Sequence, residues 1–221
     1  MDKERIIEQL DKHRVNFDTW LSKNYSQKRI KEGSYDDTGY PNWNDVEETF
    51  ELAFSYIDFE YLSEAELEVI SYLLARQWDV GNIFPYFKEE ISLLGMTEQQ
   101  LLILSEYGLR SKEWSYKQQC AASIWKARNN RERAINIALK YHLDSDADIR
   151  RHALSSLDKL EYEKIELLLE ESWKSNDEIE RDLCLIIWKK VNKKRFLEKL
   201  SSIGLNEEIF YNKYRNLKSK M

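Results

Sequence analysis

The sequence predicts an all-α chain, organised as a right-handed αα superhelix, and three observations lead there. Only six glycines and two prolines occur in 221 residues, too few for the closely spaced turns of a β fold. Apolar residues recur at helical spacing along most of the chain. In the second half a helix pair repeats at offsets of 33 and 30 residues, the mark of a solenoid. With 42% apolar and 13% aromatic residues there is material for a continuous core, and one domain is expected over residues 1–221.

Residues 1–31 are expected to cap the superhelix. Glu4 to Asn24 reads as an amphipathic helix with Ile6, Ile7, Leu10, Val15, Phe17 and Leu21 as core candidates. A polar stretch with Gly33, Gly39 and Pro41 interrupts it. Helices follow at Asn44–Phe59 and Ser63–Trp78, and Ser63 with Glu66 has the spacing of a capping box. Asn82–Leu94, with Pro85 in its first turn and Gly95 past its end, is the next, and Thr97–Tyr107 is closed by Gly108. Six more helices are expected at 113–128, 131–142, 147–160, 162–174, 177–191 and 193–203, with a short basic one from Asn206.

Stacking residues 116–126, 149–159 and 179–189 brings Cys120/Ala153/Leu183, Ala121/Leu154/Cys184 and Ile124/Leu157/Ile187 into register, with Trp125 and Trp188 equivalent. A second helix follows each, with Ile135/Ala138/Leu139, Ile165/Leu168/Leu169 and Phe196/Leu197/Leu200 facing inward. The stretch Asp144 to Leu157, DSDADIRRHALSSL, resembles the first helix of a HEAT repeat. Asp144, Asp146, Ile149, Arg150, Ala153 and Leu157 occupy the family's pattern positions. The resemblance covers residues 112–203 and implies an α-solenoid. It does not imply an activity, because such motifs encode architecture.

Charge is unevenly placed. Residues 1–110 hold 11 Lys and Arg against 22 Asp and Glu, and residues 111–221 hold 23 against 18. Glu32 to Ala75 contains 12 carboxylates and no basic residue, whereas 10 basic and three acidic residues follow from Lys189. This divides the chain into an acidic aromatic half, 32–110, and repeats with a basic end, 111–221. The formal net charge of −6 argues against general binding of a phosphate backbone. Lys189, Lys190, Lys193, Lys194 and Arg195 read better as a solubilising helix end than as a phosphate surface.

Catalytic signatures are sparse. His13, His142 and His152 lack the i, i+4 spacing of a zinc pair, and GxSxG, P-loop and GxGxxG motifs are missing. Cys120 and Cys184 sit in apolar runs and read as buried, reduced thiols. No cofactor or metal is therefore expected. The charged N-terminal residues do not resemble a signal peptide, and no run reaches transmembrane length. A cytoplasmic protein away from membranes is the expectation.

What remains is the acidic aromatic stretch. Tyr40 and Trp43, with Asp36, Asp37, Asp45, Glu47, Glu48 and Glu51, form the candidate partner-binding set. Exposed rings among carboxylates would suit a basic protein. The competing possibility folds the rings back over the first helix. The leading expectation is a non-enzymatic inhibitor or immunity-type protein that masks a basic, nucleic-acid-directed toxin. Alternatives are a HEAT-like DNA glycosylase, with Trp78-Asp79 as its only adjacent Trp-Asp pair, and a scaffold joining two proteins.

Overall fold

The computed structural model describes residues 2–76, 95–175, 177–210 and 212, and among them every regular element is helical. The helix expected at Asn82–Leu94 and the Trp78-Asp79 pair lie outside the described residues. The chain groups into two compact units, residues 1–156 and 157–221. The division falls at the end of the stretch 144–157, away from residue 110 where the charge balance changes.

In the first unit, α1 (Lys3–Asn24) buries Ile6, Leu10, His13, Phe17 and Leu21. These recur every three or four residues and form one stripe. Val15 lies off that stripe and is 51% exposed, so its expected place in the core is corrected. Ser26 caps a short α2 (Gln27–Lys31), which the polar composition had marked only as irregular. α3 (Trp43–Tyr56) buries Val46, Thr49, Phe50, Ala53 and Phe54. It ends three residues earlier than expected, because the Asp58 carboxylate accepts from the Glu60 amide at 3.0 Å and starts a separate 3-10 turn, Phe59–Tyr61.

α4 (Glu64–Arg76) opens with the expected reciprocal cap. The Ser63 amide donates to Glu66 at 2.6 Å and the Glu66 amide to Ser63 Oγ at 3.3 Å. A capping box between Thr97 and Gln100 starts α5 (Glu98–Gly108). The buried Gln100 amide also donates to the carbonyls of Phe54 and Ile57 at 3.0 and 3.2 Å, fastening α5 to the end of α3. α6 (Trp114–Ser123) gives way to a 3-10 turn at Ile124–Lys126, and α7 (Arg131–His142) and α8 (Ala147–Lys159) follow. α1 packs on α3 and α4, α4 on α5 and α6, and α5 on α6 and α7.

Asp146 caps α8 by accepting from the amides of Asp148 and Ile149 at 2.8 and 3.2 Å. Arg150 donates to the carbonyls of Asp144 and Ser145 at 3.0 and 2.8 Å, so this arginine orders its own helix start. Ser156 Oγ ties α8 to α6 through the Ala121 carbonyl at 2.6 Å.

In the second unit, α10 (Glu178–Val191) packs on α9 (Ile165–Trp173) and α11 (Lys193–Ser202). Trp188 is fully buried and meets Trp173 edge to face at 5.6 Å. Lys199 Nζ lies 5.3 and 5.1 Å from the two ring centres and pairs with Glu170 at 2.7 Å. Trp125, expected to match Trp188, sits in the 3-10 turn and is only half-buried; the early end of α6 breaks the equivalence. Leu197, expected to face inward, is 42% exposed, one position off the Phe196 and Leu200 stripe. Cys120/Ala153, Ala121/Leu154/Cys184 and Ile124/Leu157/Ile187 are all buried.

Candidate functional site

The eight predicted residues separate into two groups. The first is a cap over α1. Tyr40 is 4% exposed and its ring meets Phe17, Trp20 and Trp43 at 5.2, 5.5 and 5.2 Å, each edge to face. Trp43 is half-buried, and its indole N–H donates to the Asp37 carbonyl at 2.7 Å. Each ring pair contributes about 0.5–1.5 kcal/mol beyond its buried area, so drawing Tyr40 out to meet a partner would cost several such contacts. Of the two arrangements open for Tyr40 and Trp43, the structure has the one that folds them back: the rings fill the space above Phe17.

The neighbouring acids serve the same cap. Asp36 is exposed, but its carboxylate accepts from the Thr38 hydroxyl and amide at 2.6 and 3.0 Å, and these bonds hold its pKa below the ordinary value. The Asp36 carbonyl accepts from the Tyr25 hydroxyl at 2.9 Å. Asp37 is half-buried, and loss of water raises its carboxyl pKa, with Asp36 adding to the shift and Arg76 opposing it.

Arg76, the first cation after Lys31, anchors a second cluster beside the cap. Its guanidinium lies 3.4 Å from the centre of the Tyr72 ring and pairs with Glu113 at 3.1 Å. The Tyr72 hydroxyl donates to Asp18. Burial drives the phenol pKa upward despite Arg76, which keeps Tyr72 a neutral donor. This cluster joins α1, α4 and the start of α6, with the buried Arg76 Nε left without a hydrogen-bond partner.

Asp45, Glu47, Glu48 and Glu51 form the other group. Helical spacing places them away from the Val46, Phe50 and Phe54 stripe; the first three are exposed and Glu51 is half-buried. Among the described residues none of the four forms an ion pair. Asp45 and Glu48 line an open cleft of about 450 Å³ between α1 and α3, with Leu52 and Thr49 on the same wall and Arg5 and Gln9 opposite. The buried His13 ring lies 3.0 Å from the Oγ1 of Thr49. Burial lowers the His13 pKa, opposed by Asp45 and aided by Lys12. A second cleft of about 500 Å³ lies between α1 and α4, with Glu4, Glu8, Asp11 and Glu68 around Ile7 and Val69.

Two rings that the sequence pattern did not single out are the exposed aromatics of this region. Tyr56 is 61% and Tyr61 75% exposed. The available signal was their register: Phe50, Phe54 and Ile57 define the buried stripe, and Tyr56 falls off it.

Neither thiol is poised for nucleophilic chemistry. Burial pushes the Cys120 and Cys184 thiols up to about 12, so both are protonated at neutral pH. Among the described residues no group of three or more His, Cys, Asp or Glu side chains could hold a metal ion. No described helix is long and apolar enough to cross a membrane. No family model, curated protein or solved structure matches this chain.

Proposed function

We propose that this chain is a non-enzymatic, HEAT-like binding protein whose acidic α3 face receives a basic protein. The observation that carries the reading is the set Asp45, Glu47, Glu48 and Glu51, presented from one helix with no cation among the described residues paired to it. Unneutralised carboxylates on a packed helix raise the local concentration of a cationic partner and speed its docking. A protein that acts on nucleic acid carries the positive surface such a face would complement. An immunity-type inhibitor that covers a basic toxin is therefore the function proposed. The packed pair α10/α11 and the Asp146 cap of α8 support the HEAT-like assignment.

The basic end supports the same division of roles. Lys190 pairs with Asp158 at 3.0 Å, and Arg195 with Glu170 and Glu198, so part of that cluster is engaged within its own unit.

The test is affinity capture from the native host followed by measurement with the purified partner. Reversing Glu47, Glu48 and Glu51 to lysine is expected to weaken binding at least about tenfold, chiefly by slowing association, and to flatten its salt dependence. A captured partner without basic character, or binding that survives the triple reversal unchanged, sinks the proposal.

A further inference from the structure

We infer that Tyr56 and Tyr61 form an arginine-selective part of this surface, receiving guanidinium groups of the partner on their open ring faces; the inference rests on the acidic-face reading above. The two rings are the most exposed aromatics among the described residues. They flank the exposed acids Asp58 and Glu60 in the connection from α3 to α4.

The rest of the chain shows what such rings do when a cation is within reach. Arg29 lies over Tyr25 at 5.1 Å, Arg76 over Tyr72 at 3.4 Å, Arg110 over Tyr107 at 5.2 Å and Arg128 over Trp125 at 5.2 Å. Glu32 to Ala75 holds no lysine or arginine, and among the described residues no cation from elsewhere covers Tyr56 or Tyr61. Asp58 and Glu60 likewise have no ion-pair partner among those residues. Two open π faces and two carboxylates without an ion-pair partner among the described residues thus share one short segment.

The segment is also held in place before any partner arrives. Lys3 Nζ donates to the Tyr61 carbonyl at 3.0 Å, the Leu62 amide to Phe59 at 3.2 Å, and Gln99 to the Glu60 carboxylate at 2.6 Å. Phe59 and Ile57 are buried beneath it. A fixed backbone lowers the ordering cost of binding. Tyr56 lies one helical turn beyond Leu52, which lines the α1/α3 cleft together with Asp45 and Glu48. Arginine fits this arrangement better than lysine. Its planar group stacks on a phenol while its N–H fork reaches a neighbouring carboxylate, whereas an ammonium is a compact and more strongly hydrated point charge.

The experiment titrates the full chain with a dye-labelled oligoarginine peptide and an oligolysine peptide of equal length, read by fluorescence anisotropy. The wild type is expected to prefer oligoarginine. In the Tyr56→Ala/Tyr61→Ala variant oligoarginine affinity is expected to drop about fivefold to thirtyfold, close to the oligolysine value. Tyr56→Phe/Tyr61→Phe keeps the rings and should keep the preference. Both sites are exposed, and unchanged far-ultraviolet circular dichroism confirms that the variants fold. Equal affinity of the wild type for both peptides, binding of neither, or an arginine preference that survives in the alanine variant overturns the inference. Reversal of Glu47, Glu48 and Glu51 separates it from the wider reading. Loss of affinity for both peptides there, with no effect of the tyrosine changes, leaves the acidic face standing and removes the rings. The opposite pattern removes the acidic face.

Discussion

Replacing Gly108 with alanine adds one methyl group at a position that offers none of the room it needs. Gly108 is the last residue of α5, where helix propensity alone would favour alanine by up to about 1 kcal/mol. The surroundings reverse that sign. The new Cβ would collide with the Tyr141 hydroxyl, lie 3.1 Å from Cys120 Sγ and 3.4 Å from a Tyr116 ring carbon. All three side chains are fully buried, and Tyr141 Oη donates to the Ser105 carbonyl at 2.7 Å. Overpacking costs about 1–3 kcal/mol, and displacing a buried hydroxyl from its acceptor costs about 1–3 kcal/mol more. The expected loss is therefore about 2–6 kcal/mol, a large part of the stability of an ordinary domain.

Urea denaturation followed by circular dichroism measures it, provided the slope of the transition stays constant. Tyr141→Phe removes the atom that the methyl strikes and on its own should cost about 1 kcal/mol. The double variant Gly108→Ala/Tyr141→Phe should then be at least about 1 kcal/mol more stable than the sum of the single effects predicts. A Gly108→Ala protein within about 0.5 kcal/mol of the wild type, or strict additivity with Tyr141→Phe, would refute the steric argument.

Three further outcomes are expected. Burial lowers the His13 pKa, so the unfolded chain takes up the extra proton as pH falls through the ordinary histidine value of about 6.5. That contribution to stability is complete above this pH and is lost below it. Denaturation midpoints at mildly acidic and neutral pH should therefore differ more in the wild type than in His13→Gln. Because both thiols are buried with pKa values of about 12, a thiol reagent at neutral pH should label neither cysteine in the native protein and both in denaturant; rapid native labelling would show that one is accessible. Phe17→Ala should cost about 3–5 kcal/mol, since Phe17 is fully buried beneath Tyr40 and Trp43. Val15→Ser, in the same helix but 51% exposed, should stay within about 0.5 kcal/mol of the wild type by the same melt.

Much of the helical order is legible in the sequence because the signals are local. The 131–142 helix has the expected bounds, and those at 147–160, 177–191 and 193–203 differ by a single residue at one end. Asp146, Asp177 and Asn192 each supply a side-chain acceptor to the amides of a first helical turn. Errors arise where a local competitor acts: Asp58 starts a 3-10 turn that truncates α3, and Ile124–Lys126 tightens into 3-10 geometry and shifts Trp125 out of register with Trp188.

The candidate surface was legible only in part. Asp45, Glu47, Glu48 and Glu51 follow from helix phase, since Phe50 and Phe54 fix which side of α3 turns inward. Tyr40 and Trp43 could not be placed in that way. They lie at the end of an irregular connection, and their burial depends on Phe17 and Trp20, which are 20 or more positions away in the chain and brought near only by the packing of α1 on α3.

By itself the sequence determined the helical class, the order of most described helices and the concentration of negative charge between Glu32 and Ala75, because periodicity, capping chemistry and composition act over a few residues. Only tertiary structure decided which rings face water. Tyr40 and Trp43 had an apolar stripe to cover, whereas Tyr56 and Tyr61, outside the buried stripe and with no cation among the described residues over them, remained exposed. That difference depends on where distant segments meet, which no local pattern encodes.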